Sequence, residues 1–159
     1  MSFIKQKRID MKKQVLIGLL ALVIISCNKT DDVALSLSLI HQGVLYGAGE
    51  ENISEENLVI EKKQDWKDLL SKINTINNES ENFTEMKIDF DEFIVVACFD
   101  KVHSSGGSTI AITETEVNNN EVLFNVSKES SNGFVTSVIT QPYYLAKFPK
   151  TNKKITFTE

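Results

Sequence analysis

Residues 93–99 read FIVVACF, seven apolar side chains in succession from Phe93 to Phe99. A half-exposed strand alternates apolar and polar residues. A run without that alternation belongs to a strand buried on both faces. Such a strand must lie in the middle of a sheet, with a further layer of structure on each side. Cys98 falls inside the run and is expected to behave as a small buried hydrophobe. The acidic residues Asp89, Asp91 and Glu92 just before the run read as a solvated turn that leads into it.

Downstream of this segment the pattern is that of strands. Residues 108–117 (STIAITETEV) place Ile110 and Ile112 on one face. Residues 121–126 (EVLFNV) do the same with Val122, Phe124 and Val126. Asn118, Asn119 and Asn120 join the two, and asparagine tolerates the positive φ of a tight hairpin. Further strands are expected over Phe134–Thr140, Tyr143–Phe148 and Lys154–Phe157. Pro142 separates the first two of these and should not stand within a central ladder.

Upstream, Leu35, Leu37 and Leu39 recur at a period of two, which predicts a strand. Gly43, Gly47 and Gly49 then punctuate a loop, and Leu58–Ile60 forms another short strand. One helix stands out, with Trp66, Leu69, Leu70, Ile73 and Ile76 along one face. Asp65 serves as its N-cap, Asp68 lies in the first turn, and Asn74, Asn77 and Asn78 mark the exit. Trp66 reads as a core anchor. The fold class is α+β, mostly β. Residues 35–159 form a single domain with a mainly antiparallel sheet, either a sandwich or a partly open barrel, packed by one amphipathic helix.

The N-terminus carries a different signal. From Met11 the chain reads MKKQVLIGLLALVIISC: Lys12 and Lys13, an apolar run from Val15 to Ile25, Ser26, then Cys27. A spanning helix needs about 20 apolar residues. The run here has the shorter length of a signal-peptide core. The segment IISC resembles the bacterial lipobox, which implies cleavage between Ser26 and Cys27 and a lipid on Cys27. Residues 1–26 are then the signal peptide, with Met11 the more natural start, and 27–34 a lipidated tether. Lys29, Asp31 and Asp32 in the tether resemble a surface-export signal, interrupted by Thr30, or form an ordinary solvated linker. The expected location is the bacterial cell envelope, on the outer membrane and even its outer surface.

Cleavage alters the charge balance. The full chain has 17 basic and 22 acidic residues. Residues 1–26 hold five of the basic residues and one of the acidic, which leaves 12 and 21 and a net charge of −9. Arg8, the only arginine, is removed as well. An acidic chain without the preferred donor for phosphate is not built for nucleic acid. It is equally unsuited to electrostatic docking on anionic lipid. The membrane partner is therefore engaged through the acyl chains on Cys27, at about 0.8 kcal/mol per buried CH₂. With Cys27 committed to lipid, Cys98 has no disulfide partner.

Chemistry-bearing motifs are sparse. His41 and His103 lack metal-ligand spacing, and no metal or cofactor is expected. Ser104 and Ser105 follow His103, but a catalytic triad is defined in space, not by adjacency. Gly106 and Gly107 lack the lysine of a phosphate loop. No catalytic residue is assigned.

The second half does resemble a known family. Ile88-Asp89-Phe90, the apolar strand, SGGSTIAI, a hairpin and TQPYYLAKFP follow one another in the order of the C-terminal domain of PrcB-like protease-complex lipoproteins. In that family a Gly-Gly pair opens a strand of alternating isoleucines, matched by Gly106, Gly107, Ile110 and Ile112. A Thr-x-Pro-Tyr enters the last long strand, matched by Thr140, Pro142 and Tyr143. Trp66 and Leu69 fall at its W-x-x-L. The resemblance covers roughly residues 57–158. Ser108 stands where the family often has an aromatic, and Ser131, Asn132 and Gly133 replace its proline-glycine turn.

The resemblance implies a non-catalytic accessory lipoprotein that binds and supports an exported protease. Gly106, Gly107, Ser108, Pro142 and Tyr143 become candidate partner-binding residues. Contact through an exposed sheet edge or through the His103–Ser108 loop would suit that role, although the glycine pair could equally serve only a tight turn. Two other readings make distinct demands. A small-molecule or glycan-binding module requires Tyr143 or Tyr144 in a cleft. A hydrolase requires His41 or His103 to meet a serine and an acid.

Overall fold

The computed structural model describes residues 35–131 and 133–159. The expected signal peptide with Ser26, the expected lipidation site Cys27 and the expected 27–34 tether lie outside the described residues, as does Asn132. The described residues form one compact unit. The strands are β1 (Ser38–Leu45), β2 (Glu56–Ile60), β3 (Phe93–Phe99), β4 (Thr109–Val117), β5 (Glu121–Glu129), β6 (Gln141–Pro149) and β7 (Lys154–Thr158). Helix α1 (Lys63–Ile73) and a 3-10 turn (Glu79–Asn82) lie between β2 and β3.

Two sheets result. The first has the order β1-β6-β3-β2 and is antiparallel throughout. The second has the order β4-β5-β7, with an antiparallel hairpin and a parallel β5–β7 pair. They do not close into a barrel, so the architecture is α+β and mostly β, in three layers.

The FIVVACF run explains the layering. Val95, Ala97 and Phe99 point to one side of the first sheet, where Trp66, Leu69 and Ile73 of α1 cover them. Ile94, Val96 and Cys98 point to the other, against Ile110, Val122, Phe124 and Val126 of the second sheet. β6 divides its side chains in the same way: Tyr143 and Leu145 face the helix layer, Tyr144, Ala146 and Phe148 the second sheet. Phe124 and Phe148 meet edge to face, ring centres 5.3 Å apart, a favoured aromatic geometry.

Several expectations are corrected. β1 begins at Ser38, so Leu35 and Leu37 precede it, and Leu39 is half exposed. A break in register between Leu39 and His41 shifts the alternation and buries Ile40 instead. Gly43 lies within β1 opposite Tyr143, not in a loop. A Cβ there would approach the His41 ring and the Tyr143 hydroxyl to 3.0–3.2 Å. Lys62, not Asp65, is the N-cap of α1, and it makes no side-chain cap bond. Asp65 sits in the first turn, and Ile76 lies exposed beyond the helix end. Asn74 does end the helix, and it clasps Ser80 through two bonds, Nδ2–H to Oγ (2.8 Å) and Oδ1 from the backbone N–H (3.0 Å).

The hairpin forms at Asn118–Asn120 as expected, though none of the three takes a positive φ. Asn118 Oδ1 instead accepts the N–H groups of Asn120 and Glu121. Residues 134–140 form no strand, and their β-pairing is limited to one isolated bridge, His103 to Thr140. Pro142 stands inside β6, a central strand, between Val44 on β1 and the end of β3.

Candidate functional site

Two loops leave the same end of the sandwich. The first connects β3 to β4 (residues 100–108), and the second connects β5 to β6 (residues 130–140). They are laced together by backbone bonds. His103 and Thr140 exchange two, the Gly106 N–H donates to the Thr136 carbonyl (3.0 Å), and the Ser131 N–H donates to the Gly107 carbonyl (3.0 Å). The Thr140 hydroxyl adds a bond to the Ser105 carbonyl.

Gly107 has a φ of +87°. A Cβ there would lie 2.8 Å from Ser131 Cβ and 2.9 Å from Val135 Cγ1. Both the backbone conformation and the close approach of the second loop therefore require glycine.

A polar chain runs beneath the loops. His103 Nε2 is 2.7 Å from Asp100 Oδ2, and Ser108 Oγ is 3.2 Å from His103 Nδ1. With Asp100 accepting from Nε2–H, Nδ1 is left to accept the serine O–H. Lys128 lies 3.9 Å from the other Asp100 oxygen and bonds Glu159 (2.6 Å) and Glu55 (2.7 Å). Those two carboxylates, Glu159 foremost, hold its ammonium protonated well above the usual lysine range. Neither Asp100 nor Ser108 is accessible: the Asp100 side chain is 5 % exposed and Ser108 is 6 % exposed.

Both loops expose apolar side chains. Val102 from the first loop and Phe134, Val135, Val138 and Ile139 from the second are all exposed, Phe134 fully. Exposed apolar side chains of this number are the raw material of interaction sites, and loops on a rigid scaffold commonly carry them.

The sequence-predicted partner residues divide. Gly106 and Gly107 reach the loop surface, whereas Ser108, Pro142 and Tyr143 are buried. Tyr143 and Tyr144 lie in opposite halves of the core and form no cleft. The Tyr143 hydroxyl donates to Glu79 Oε1 (2.9 Å) and lies 2.8 Å from His41 Nδ1. Burial, reinforced by Glu79, pushes this phenol well above the usual tyrosine range. Burial likewise pushes the Cys98 thiol up to about 12, which removes its nucleophilic form at neutral pH.

Reading along the chain missed Asp100, Val102 and the exposed apolar residues of 134–139. A stretch such as FVTSVI (134–139) has strand composition, and composition does not reveal that no neighbouring strand is free to pair with it. Among the described residues there is no cluster of three metal-ligating side chains and no helix long and apolar enough to cross a membrane. Comparison of the chain with family models, with curated proteins and with solved structures yields no match.

Proposed function

We propose that this chain is a non-catalytic lipoprotein of the bacterial cell envelope, held by lipid on Cys27, whose folded domain binds and supports an exported protease. The observation that carries the reading is the apolar surface of the two laced loops, Val102 with Phe134–Ile139. Lacing fixes the backbone of the two loops before a partner arrives, so less ordering entropy opposes binding. The ordered run of family-like motifs from Ile88 to Pro149 supports the same reading, as does the lipobox-like IISC.

The test is a pull-down from membranes. The intact chain should capture a protease from cells that make one, and Phe134→Ser with Ile139→Ser should lose most of it while keeping the wild-type melting temperature. Capture that survives both substitutions would remove the loop surface from the account.

One observation favours a second reading, a serine hydrolase. Asp100, His103 and Ser108 are the residue types of an acyl-transfer triad in hydrogen-bonded order. In that chemistry Ser108 Oγ would attack a carbonyl carbon as its proton passes to His103 Nδ1. The enclosure of Ser108 beneath the loops weighs against it, and the chain is better understood as a brace that holds the loops. A fluorophosphonate probe separates the two: the accessory reading predicts no label on Ser108, and labelling that Ser108→Ala abolishes would establish the hydrolase.

A further inference from the structure

We infer that the groove between edge strand β2 and helix α1 receives an extended, cationic and apolar peptide segment of the partner, paired to β2 as an added strand. This deepens the partner-binding reading and rests on it. β2 bonds only to β3 within its sheet, in unbroken register from Glu56 to Ile60. Alternate residues therefore turn their N–H and C=O groups outward.

Of the three other sheet edges, β7 opens on an exposed lysine, Lys154, and β1 and β4 are blunted or covered. β1 is interrupted near Leu39, the Thr84 hydroxyl bonds the carbonyls of Leu39 and Ile40, and the Gln42 amide reaches across to the Ile110 carbonyl of β4. β4 has its own break at Ile112/Glu114 and carries Glu114 and Glu116. β2, with the sequence ENLVI, has no proline, lysine or bulge, and Leu58 and Val59 are only half buried.

Beside this edge lies a cavity of about 320 Å³. Leu58, Ile60 and Leu69 supply its apolar lining, and Glu56, Asp65 and Asp68 supply carboxylates against the single ammonium of Lys72. An extended peptide sends alternate side chains to one face. The set turned toward α1 therefore carries both features, an apolar side chain over Leu58, Ile60 and Leu69 and a cationic one beside Asp65 and Asp68. Main-chain bonds give such complexes affinity, and the pocket gives specificity.

The experiment is fluorescence anisotropy of a labelled Lys-Ser-Val-Ser-Lys peptide, which sets both lysines and the valine on one face, with the detergent-solubilised full chain. The peptide should bind, with Glu-Ser-Val-Ser-Glu and the Asp65→Asn/Asp68→Asn variant each weaker by about tenfold. N-methylation of the serine amides and of the lysine and valine amides should have unequal effects, one set abolishing binding and the other tolerated, because only one set faces β2. Absence of binding, or equal effects of the two methylated peptides, overturns the added strand. Peptide binding without protease capture in the pull-down would leave the groove standing and overturn the protease reading. Protease capture without peptide binding would overturn the groove alone.

Discussion

Pro142 has no amide hydrogen, and its position in β6 leaves the Asp100 carbonyl without its ladder partner. The Asp100 N–H donates to the Pro142 carbonyl (3.0 Å), and in an antiparallel pair the return bond would come from residue 142. Gln141 supplies it instead. Its buried Nε2 donates to the carbonyls of Asp100 and Ile53, both at 2.9 Å. Gln141→Leu therefore leaves two buried carbonyls unpaired, at a cost of about 2–4 kcal/mol. Urea unfolding will measure it through a lower midpoint at unchanged slope, and a loss under about 1 kcal/mol would show that Gln141 is not the substitute donor. A proline within a central strand contradicts the ordinary rule, and nothing local in TQPYY shows that the preceding glutamine compensates. The fates of Cys98 and Trp66, by contrast, were legible, since each follows from the apolar company of its neighbours.

At the scale of elements, the periodic segments were legible and the irregular ones were not. FIVVACF, the Asn118–Asn120 hairpin and the Trp66–Leu69–Ile73 face all stand where their patterns put them. The start of α1 does not, because a cap depends on where the backbone turns and not on residue type alone. Lys62 at the N-cap has extended backbone (φ −125°, ψ 140°) and no side-chain bond. Lys62→Ser should therefore stabilise the domain by about 0.5–1 kcal/mol. Asp65→Ala should cost only the first-turn dipole interaction, about 0.3–1 kcal/mol. Thermal melts of the two variants check this, and a neutral Lys62→Ser beside a larger loss at Asp65 would return the cap to Asp65. Residues 134–140 were misread as a strand for a related reason. Strand formation needs a free edge, and only His103 offers them a bridge.

The described domain is a three-layer scaffold whose β3–β4 and β5–β6 loops are locked to one another and expose apolar side chains. The layers were legible from a single seven-residue run, because an uninterrupted apolar strand demands cover on both faces. The loop surface was only half legible. Gly106 and Gly107 marked the place, but the Asp100–His103–Ser108 brace and the exposed valines arise from a folding-back that spacing along the chain does not encode. Site-specific photo-crosslinking from position 134 in intact cells tests the account most directly. A photoreactive residue in place of Phe134 should join the chain to an exported protease, identified by mass spectrometry, while the same group at exposed Met86, away from the two loops, should not. Crosslinks from position 134 that reach no protease, in cells that export one, would contradict it.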